Sequence, residues 1–169
     1  MTVVETERLV VRRLTLDDAA FILELVNDPA WLRFIGDRGI RNLDDARAYL
    51  AQGPLAMYAR RGFGLFAVAD RTSGELLGMC GLLQRDTLPD VDLGFAFLPA
   101  HRGRGLAQES AAAVMEYARS TLQLPRLAAI TSPANAASIA LLEKLGFRFA
   151  RLVQLVPGQP ASKLFGRVL

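Results

Sequence analysis

The sequence is poor in cysteine and in long apolar runs, and each scarcity excludes a class of protein. Its only cysteine, Cys80, lies in an apolar stretch. One cysteine forms no internal disulfide, and the partners that a metal site needs are missing, so we expect a buried structural thiol and no bound metal. No apolar run approaches the roughly 20 residues that span a bilayer. Residues 1–7 lack the features of a signal peptide. We therefore expect a cytoplasmic protein without a membrane partner.

Charge is close to that of a typical globular domain, and it is not gathered into runs. Charged residues make up 22% of the chain and the net charge is +3, while 51% of the residues are apolar. With no internal repeat and no long linker, residues 1–169 are expected to form one domain. The positive excess favours a polyanionic partner, either a nucleic acid or a phosphorylated cofactor. The densest basic group, at 102–104, does not choose between them.

The apolar periodicity predicts an α/β domain with a mixed sheet, with hairpins in the middle of the chain and crossover helices later. Strands are expected over 9–11, 63–70, 76–84, 90–98, 126–131, 147–156 and 163–169. Helices are expected over 16–26, 43–51, 104–122 and 135–145. Thr15 and Asn42 supply N-cap signals for the first two helices, and 27–29 ends the first. Residues 31–41 are expected to form a loop or a broken helical turn.

The most informative segment is a strand that runs through Pro99 into a glycine-rich turn and a helix. The first turn of a helix presents unpaired N–H groups and the positive end of the helix dipole. Gly103 and Gly105 let the backbone approach a bulky anion, and Arg102 and Arg104 add cationic donors. This arrangement predicts a phosphate or pyrophosphate site. The alternative is a surface turn with incidental arginines.

Two common phosphate-binding loops do not match this segment. The pattern G-x-x-x-x-G-K-[ST] is absent from the chain. The pair Gly103 and Gly105 lacks a third glycine, because Gln108 holds that position, and it follows hairpins rather than lying in a βαβ unit. Dinucleotide binding of the Rossmann type is therefore not expected.

Two blocks of sequence resemble one known family. Residues 102–107 match the Q/R-x-x-G-x-G/A signature of the GNAT superfamily of N-acetyltransferases. About thirty residues downstream, 135–138 and 142–147 are similar to the family's N-x-x-S…K-x-G-F segment. The opening residues 6–12 and 16–19 resemble the branch that acetylates the N-termini of ribosomal proteins. The resemblance covers nearly the whole chain.

The resemblance implies a mostly antiparallel sheet of about six or seven strands flanked by about four helices. It implies acetyl-CoA as co-substrate and the amine of a peptide N-terminus or of a small molecule as acceptor, with no nucleic acid, in a monomer or homodimer. The strand end would pair with the pantetheine arm, the loop would hold the pyrophosphate, and the second block would face the thiol. The implied cofactor-binding residues are Phe97, Leu98, Arg102, Gly103, Arg104, Gly105, Leu106, Ala107, Asn135 and Ser138. Asn135 could instead be a plain helix N-cap, and Ser138 a solvated helix residue.

The groups that would move protons are less defined. Many relatives have a tyrosine that acts as the general acid at the position where this chain has Leu142. Ser138 is the nearest candidate to orient or protonate the thiol, although a thiolate with a pKa near 8.5 can also leave without a dedicated acid. Asp92 is the best candidate base, and its alternative is a surface hydrogen bond on a strand. Glu75 and Glu109 are weaker candidates, and His101 is expected to lie too far from the thioester.

The absence of an obvious strong base favours an acceptor that is easily deprotonated. An α-amino group with a pKa of about 8 is roughly a tenth neutral at pH 7, whereas a lysine must be deprotonated at a cost of roughly 4–5 kcal/mol. Residues 31–39 are expected to shape the acceptor pocket, with candidate contacts from Trp31, Phe34, Asp37 and Arg38. Two other functions stay open: a catalytically silent acyl-CoA-binding module, and a nucleic-acid-binding domain that lacks the usual basic stripe.

Overall fold

Eight strands form one sheet in which every neighbouring pair is antiparallel except β5 and β6. The computed structural model describes residues 1–169. The strands are β1 (Thr2–Glu5), β2 (Leu9–Arg13), β3 (Leu65–Asp70), β4 (Leu76–Leu83), β5 (Asp92–Phe97), β6 (Arg126–Thr131), β7 (Arg148–Val153) and β8 (Ser162–Val168). Their order across the sheet is β1-β2-β3-β4-β5-β6-β8-β7. The expected mixed, mostly antiparallel sheet is confirmed.

Six α-helices cover the sheet. They are α1 (Ala19–Val26), α2 (Pro29–Phe34), α3 (Leu43–Leu50), α4 (Ala56–Arg61), α5 (Leu106–Ser120) and α6 (Ala136–Lys144). Thr15 forms a capping box with Asp18 ahead of α1, and the Asn42 side chain accepts from Asp45 N at the start of α3, so both predicted N-caps are confirmed. No helix combines the length and apolar character that crossing a membrane requires.

The expected counts of about six or seven strands and about four helices were too low. β1 has only four residues and forms by pairing with β2 at the sheet edge, which leaves little periodicity to detect. The signal at 27–29 ends α1 but also starts α2, because Asp28 caps it and Pro29 occupies its first turn. Helix α4 was not expected: a π-helical segment (Ala51–Leu55), whose wider turn includes Pro54, connects α3 to α4.

The two faces of the sheet bury different helices. Phe66 and Val68 of β3 face a core that includes α4, α5 and part of α6, whereas Ala67 between them faces a second core with α1, α2 and α3. This alternation follows from the two-residue period of a strand. Cys80 is fully buried in the first core, and burial raises the pKa of its thiol to about 12. The expectation of a buried structural thiol is confirmed.

The parallel pair β5 and β6 is joined only at its beginning. Asp92 and Ala128 are its one pair of Cα partners, and Ala128 N donates to Val91 O at 2.8 Å. Beyond this point the strands separate, so the end of β5 has no neighbour on that side. The resulting split opens toward the first turns of α5 and α6 and positions the site.

Candidate active site

A cavity of about 450 Å³ occupies the open end of the split. The end of β5 forms its floor through Phe95, Ala96 and Phe97. The start of α5 and one side of α6 form one wall, and the end of α1 together with α2 forms the opposite wall. The cavity is therefore bounded by elements from three separate parts of the chain, and both sequence blocks that resemble the family meet there.

The loop before α5 presents a row of unused backbone donors. From Gly103 to Gln108, no backbone N–H donates to an acceptor within the protein; the next N–H, of Glu109, bonds to Gly105 O at 3.0 Å. Gly103 and Gly105 have φ values of +74° and +76°, the left-handed region that favours glycine. Six consecutive unused N–H groups at a helix start are suited to bind an anion, and residues 103–108 are called the cradle below.

The cradle is supported from behind by the turn between β1 and β2. Thr6 Oγ1 donates to Glu109 Oε2 at 2.5 Å, and Arg8 Nε lies 2.7 Å from Glu109 Oε1. Arg8 Nη1 also donates to the carbonyl of Arg104 at 2.9 Å. Partial burial acts to raise the pKa of Glu109, but the hydrogen bonds from Thr6 and Arg8 outweigh it and lower that pKa. Glu109 is thus a charged, paired group outside the cavity.

The start of α6 contributes two polar side chains to the cavity. Asn135 Oδ1 accepts from Ser138 N at 3.2 Å, so Asn135 is the N-cap of the helix. Both residues line the cavity, and neither Asn135 Nδ2 nor Ser138 Oγ has a hydrogen-bond partner in the protein. The capping role and a ligand contact are compatible, because they use different atoms of Asn135. Leu142, at the family's tyrosine position, is buried in the core.

Two of the expected cofactor residues do not face the cavity. Leu98 packs into the core beside α1–α3, and its N–H donates to Leu77 O at 3.0 Å. The Arg104 side chain turns toward His101, with 3.3 Å between Arg104 Nη1 and His101 Nδ1. The other eight residues of the expected set line the cavity. For Leu98 and Arg104, a contact with the cofactor stays a prediction.

Arg102 connects the floor of the cavity with its opposite wall. Its Nε donates to the carbonyl of Phe97 at 3.0 Å, and its Nη2 donates to Asp28 Oδ2 at 2.6 Å. Asp28 also accepts from Ala30 N and Trp31 N, which caps α2. One guanidinium therefore fixes the end of β5 relative to the N-terminus of α2.

Apart from Asp28, the α1–α2 wall is apolar. Trp31 and Phe34, two of the four expected acceptor contacts, line the cavity here. The other two do not: Asp37 pairs with Arg41 at 2.5 Å, and Arg38 lies over the Tyr49 ring at 5.9 Å. The remaining wall residues are Leu25, Ala30 and Ile35.

Asp92 lies beneath the split rather than in the cavity. Its side chain is 1% exposed, and Arg85 Nε lies 3.2 Å from Oδ1 and 3.4 Å from Oδ2. Burial raises the pKa of Asp92 to about 6 against the attraction of Arg85. Ala96, on the same face of β5, lines the cavity four residues further on, ~13 Å along the strand. Asp92 as base stays a prediction, and a direct contact with an acceptor at Ala96 is not supported.

Sequence reasoning missed three polar residues of the cavity. Asp28 was assigned only to a helix end, although an Asp-Pro pair is equally the N-cap and first residue of a following helix. Gln108 lies one place beyond the matched signature, and Lys144 lies inside the second block but was given no role. His101 also lines the cavity, with its Nε2 3.6 Å from Glu75.

Comparison with known proteins agrees with this geometry. The model of the acetyltransferase (GNAT) domain matches residues 8–148. YoaA of Bacillus subtilis, an uncharacterized N-acetyltransferase, is 29% identical over 149 residues, which cover 86% of this chain and 82% of YoaA. The crystal structure of an acetyltransferase from Agrobacterium tumefaciens is 26% identical with a TM-score of 0.83, over 98% of this chain and 94% of that one.

The fold is also shared with a more distant enzyme. Ribosomal-protein-S5-alanine acetyltransferase from Vibrio fischeri is 18% identical, with a TM-score of 0.80 over 98% of this chain and 95% of its own. The family match extends from β2 to the start of β7 and therefore includes the cradle, the split and the second block. This chain belongs to the GNAT family of N-acetyltransferases, for which acetyl-CoA is the acetyl donor.

Proposed function

We propose that the acceptor is a primary amine, either the α-amine of a peptide N-terminus or the amine of a small molecule. The observation that carries the proposal is the continuity of the cavity. One continuous space is lined on its donor side by the cradle and α6, and on its apolar side by Trp31 and Phe34. An acyl donor and an amine placed in that space are held next to each other, which removes much of the entropic cost of a two-substrate reaction.

The donor side suits an acyl-CoA in charge and shape. The six N–H groups from Gly103 to Gln108 have no acceptor within the protein and are therefore available to an anion. Charge-assisted hydrogen bonds contribute roughly 1.5–3 kcal/mol each, so three or four of them around a pyrophosphate suffice to anchor it. Acetyl-CoA supplies the activated acetyl group as a thioester. Asn135 Nδ2 and Ser138 Oγ are unpaired and lie near the start of α6, where the thiol end is expected.

The chemistry requires one proton to leave the acceptor and one to reach the sulfur. The neutral amine nitrogen attacks the thioester carbonyl carbon, the carbon–sulfur bond breaks, and the thiolate takes up a proton. We assign the orientation or protonation of the sulfur to Ser138. We assign the final acceptance of the amine's proton to Asp92, which receives it through water because its carboxylate is buried below the cavity floor.

Two assays test this proposal. Saturating acetyl-CoA is expected to raise the melting temperature, and thiol release is expected with at least one member of a panel of peptides with free N-termini and small amines. Stabilisation by acetyl-CoA without thiol release from any amine would favour a silent acyl-CoA-binding module. No stabilisation would contradict the donor site itself.

A further inference from the structure

Asp28 is the only acidic residue that lines the cavity. It lies at the junction of α1 and α2, on the wall opposite the cradle, and its side chain is 5% exposed. Neither the family signature nor the capping of a six-residue helix requires a carboxylate to face this space, because asparagine or serine would cap equally well.

The two oxygens of the Asp28 carboxylate are used unequally. Oδ2 accepts all three hydrogen bonds, from Arg102 Nη2 at 2.6 Å, Ala30 N at 3.2 Å and Trp31 N at 3.4 Å. Oδ1 accepts none, and it is not sealed from solvent, since the sealed side-chain polar atoms without a partner are Arg13 Nε and Trp31 Nε1. Arg102 and the start of α2 therefore fix the carboxylate while one oxygen stays open.

The surroundings of Asp28 determine which kind of ligand its Oδ1 can bind. Its wall of the cavity is otherwise apolar, with Trp31 and Phe34 beside it. The cavity holds no second carboxylate, but it does hold Arg102 and Lys144. One positive charge can be paired at Asp28, while a second would find no other carboxylate in the cavity lining.

We propose that Asp28 Oδ1 binds the ammonium of the acceptor before deprotonation, and that the acceptor is a monoamine with an apolar group next to its nitrogen. This inference rests on the proposed acetylation of an amine and specifies which amines qualify. Diamines and polyamines are disfavoured, because the cavity lining offers no second carboxylate for their second charge. Arg102 is a positioning residue in this scheme, since it holds Asp28 through the other oxygen.

The variant Asp28→Asn tests the charge while it keeps the helix cap. Acetyl-CoA affinity, measured by calorimetry, is expected not to weaken. The KM for phenethylamine is expected to rise about 10- to 100-fold, the equivalent of one charge-assisted hydrogen bond. Asp37→Asn is the matched control, because Asp37 lies in the next connection, pairs with Arg41 and does not line the cavity. It is expected to leave both constants unchanged.

One measurement uses the unmodified protein alone and does not depend on a variant that folds. Phenethylamine and trialanine are expected to exceed cadaverine in kcat/KM by about tenfold or more. Equal use of cadaverine would overturn the monoamine assignment. A second comparison uses hydroxylamine, which is largely uncharged at neutral pH. After subtraction of its uncatalysed reaction with the thioester, its turnover is expected to be similar in the wild type and in Asp28→Asn.

The outcomes separate the two proposals. An unchanged KM for phenethylamine in Asp28→Asn, or an equal loss with hydroxylamine, would overturn the role of Asp28 while leaving acetylation of amines intact. A wild-type protein that binds acetyl-CoA but transfers to none of these amines would overturn the proposed function and this inference together.

Discussion

Arg8 and Glu109 are separated by 101 positions in the sequence, yet Arg8 Nε lies 2.7 Å from Glu109 Oε1 directly behind the anion cradle. Arg8 also bonds to the carbonyl of Arg104 within the loop. A carboxylate in the first turn of α5 would otherwise repel a pyrophosphate held by the same turn. The ion pair neutralises that charge, and it joins the β1–β2 hairpin to the cofactor loop.

The first prediction concerns this ion pair. Arg8→Gln leaves the charge of Glu109 uncompensated beside the cradle, so the Kd for acetyl-CoA, measured by calorimetry, is expected to rise about three- to tenfold. The effect should shrink at high salt, because Arg8 is partly exposed. The double variant with Glu109→Gln is expected to recover most of the affinity.

A control for this prediction lies on the same helix. Arg119 pairs with Glu116 near the other end of α5, where both side chains are exposed. Arg119→Gln removes the same kind of ion pair at a distance from the cradle, so its Kd for acetyl-CoA is expected to match the wild type. A similar weakening in both variants would point to net charge rather than to the position of Arg8.

The cradle itself is tested by Gly105→Glu. The change forces a non-glycine residue to φ +76°, at a cost of roughly 1–2 kcal/mol, and it sets a carboxylate against the N–H groups that hold the anion. Acetyl-CoA binding is expected to be lost in calorimetry. Gly158→Glu imposes the same strain at φ +82° in open space away from the cavity, and it is expected to bind normally. Retained affinity in Gly105→Glu would contradict the cradle.

Two substitutions at Asn135 separate its cap from its contact with the co-substrate. Asn135→Ala removes the acceptor for Ser138 N, and the free energy of unfolding is expected to fall by about 1 kcal/mol. Asn135→Asp keeps the cap but replaces the Nδ2 donor with an anionic oxygen. Its melting temperature is expected to stay near that of the wild type while acetyl-CoA binds less tightly. Unchanged affinity of Asn135→Asp for acetyl-CoA would show that Asn135 serves only as the helix cap.

The parts of the molecule that could be predicted from sequence are those whose chemistry is local. The cradle depends on two glycines and the start of one helix, so residues 102–107 were enough to predict it. The hairpins and α5 follow from periodicity within each segment, and their predicted bounds differ from the structure by a few residues at each end.

The parts that were missed depend on contacts between distant residues or on signals with two meanings. No local pattern indicates that Thr6 and Arg8 support the loop before α5, because that contact exists only after β1 and β2 pair. Asp28 was missed because Asp-Pro both ends one helix and begins another, and only the start of α2 places its carboxylate on the cavity wall. Asp92 is buried where β5 and β6 still pair, and that pairing depends on the order of the strands in the sheet.

The last prediction uses the pKa of Asp92. Burial raises this pKa to about 6, so the folded chain binds the Asp92 proton more tightly than the unfolded chain does. The contribution of this group to stability is therefore fully present below about pH 4 and is lost as the pH rises through 6. The stability of the wild type relative to Asp92→Asn, measured by urea unfolding, is expected to fall by up to about 3 kcal/mol between pH 4 and 7.

The same variant tests Asp92 as the acceptor of the amine's proton. If Asp92 accepts this proton, the wild-type kcat/KM is expected to rise with pH through about 6, where Asp92 becomes charged. The variant Asp92→Asn is expected to lose this rise and to be at least tenfold less active. Asp86→Asn, at an exposed position in the preceding loop, serves as the control for both measurements. Unchanged activity of Asp92→Asn from pH 6 to 9, together with the predicted change in stability, would make Asp92 a buried structural partner of Arg85. The proton would then leave the amine by a route that does not use the floor of the split.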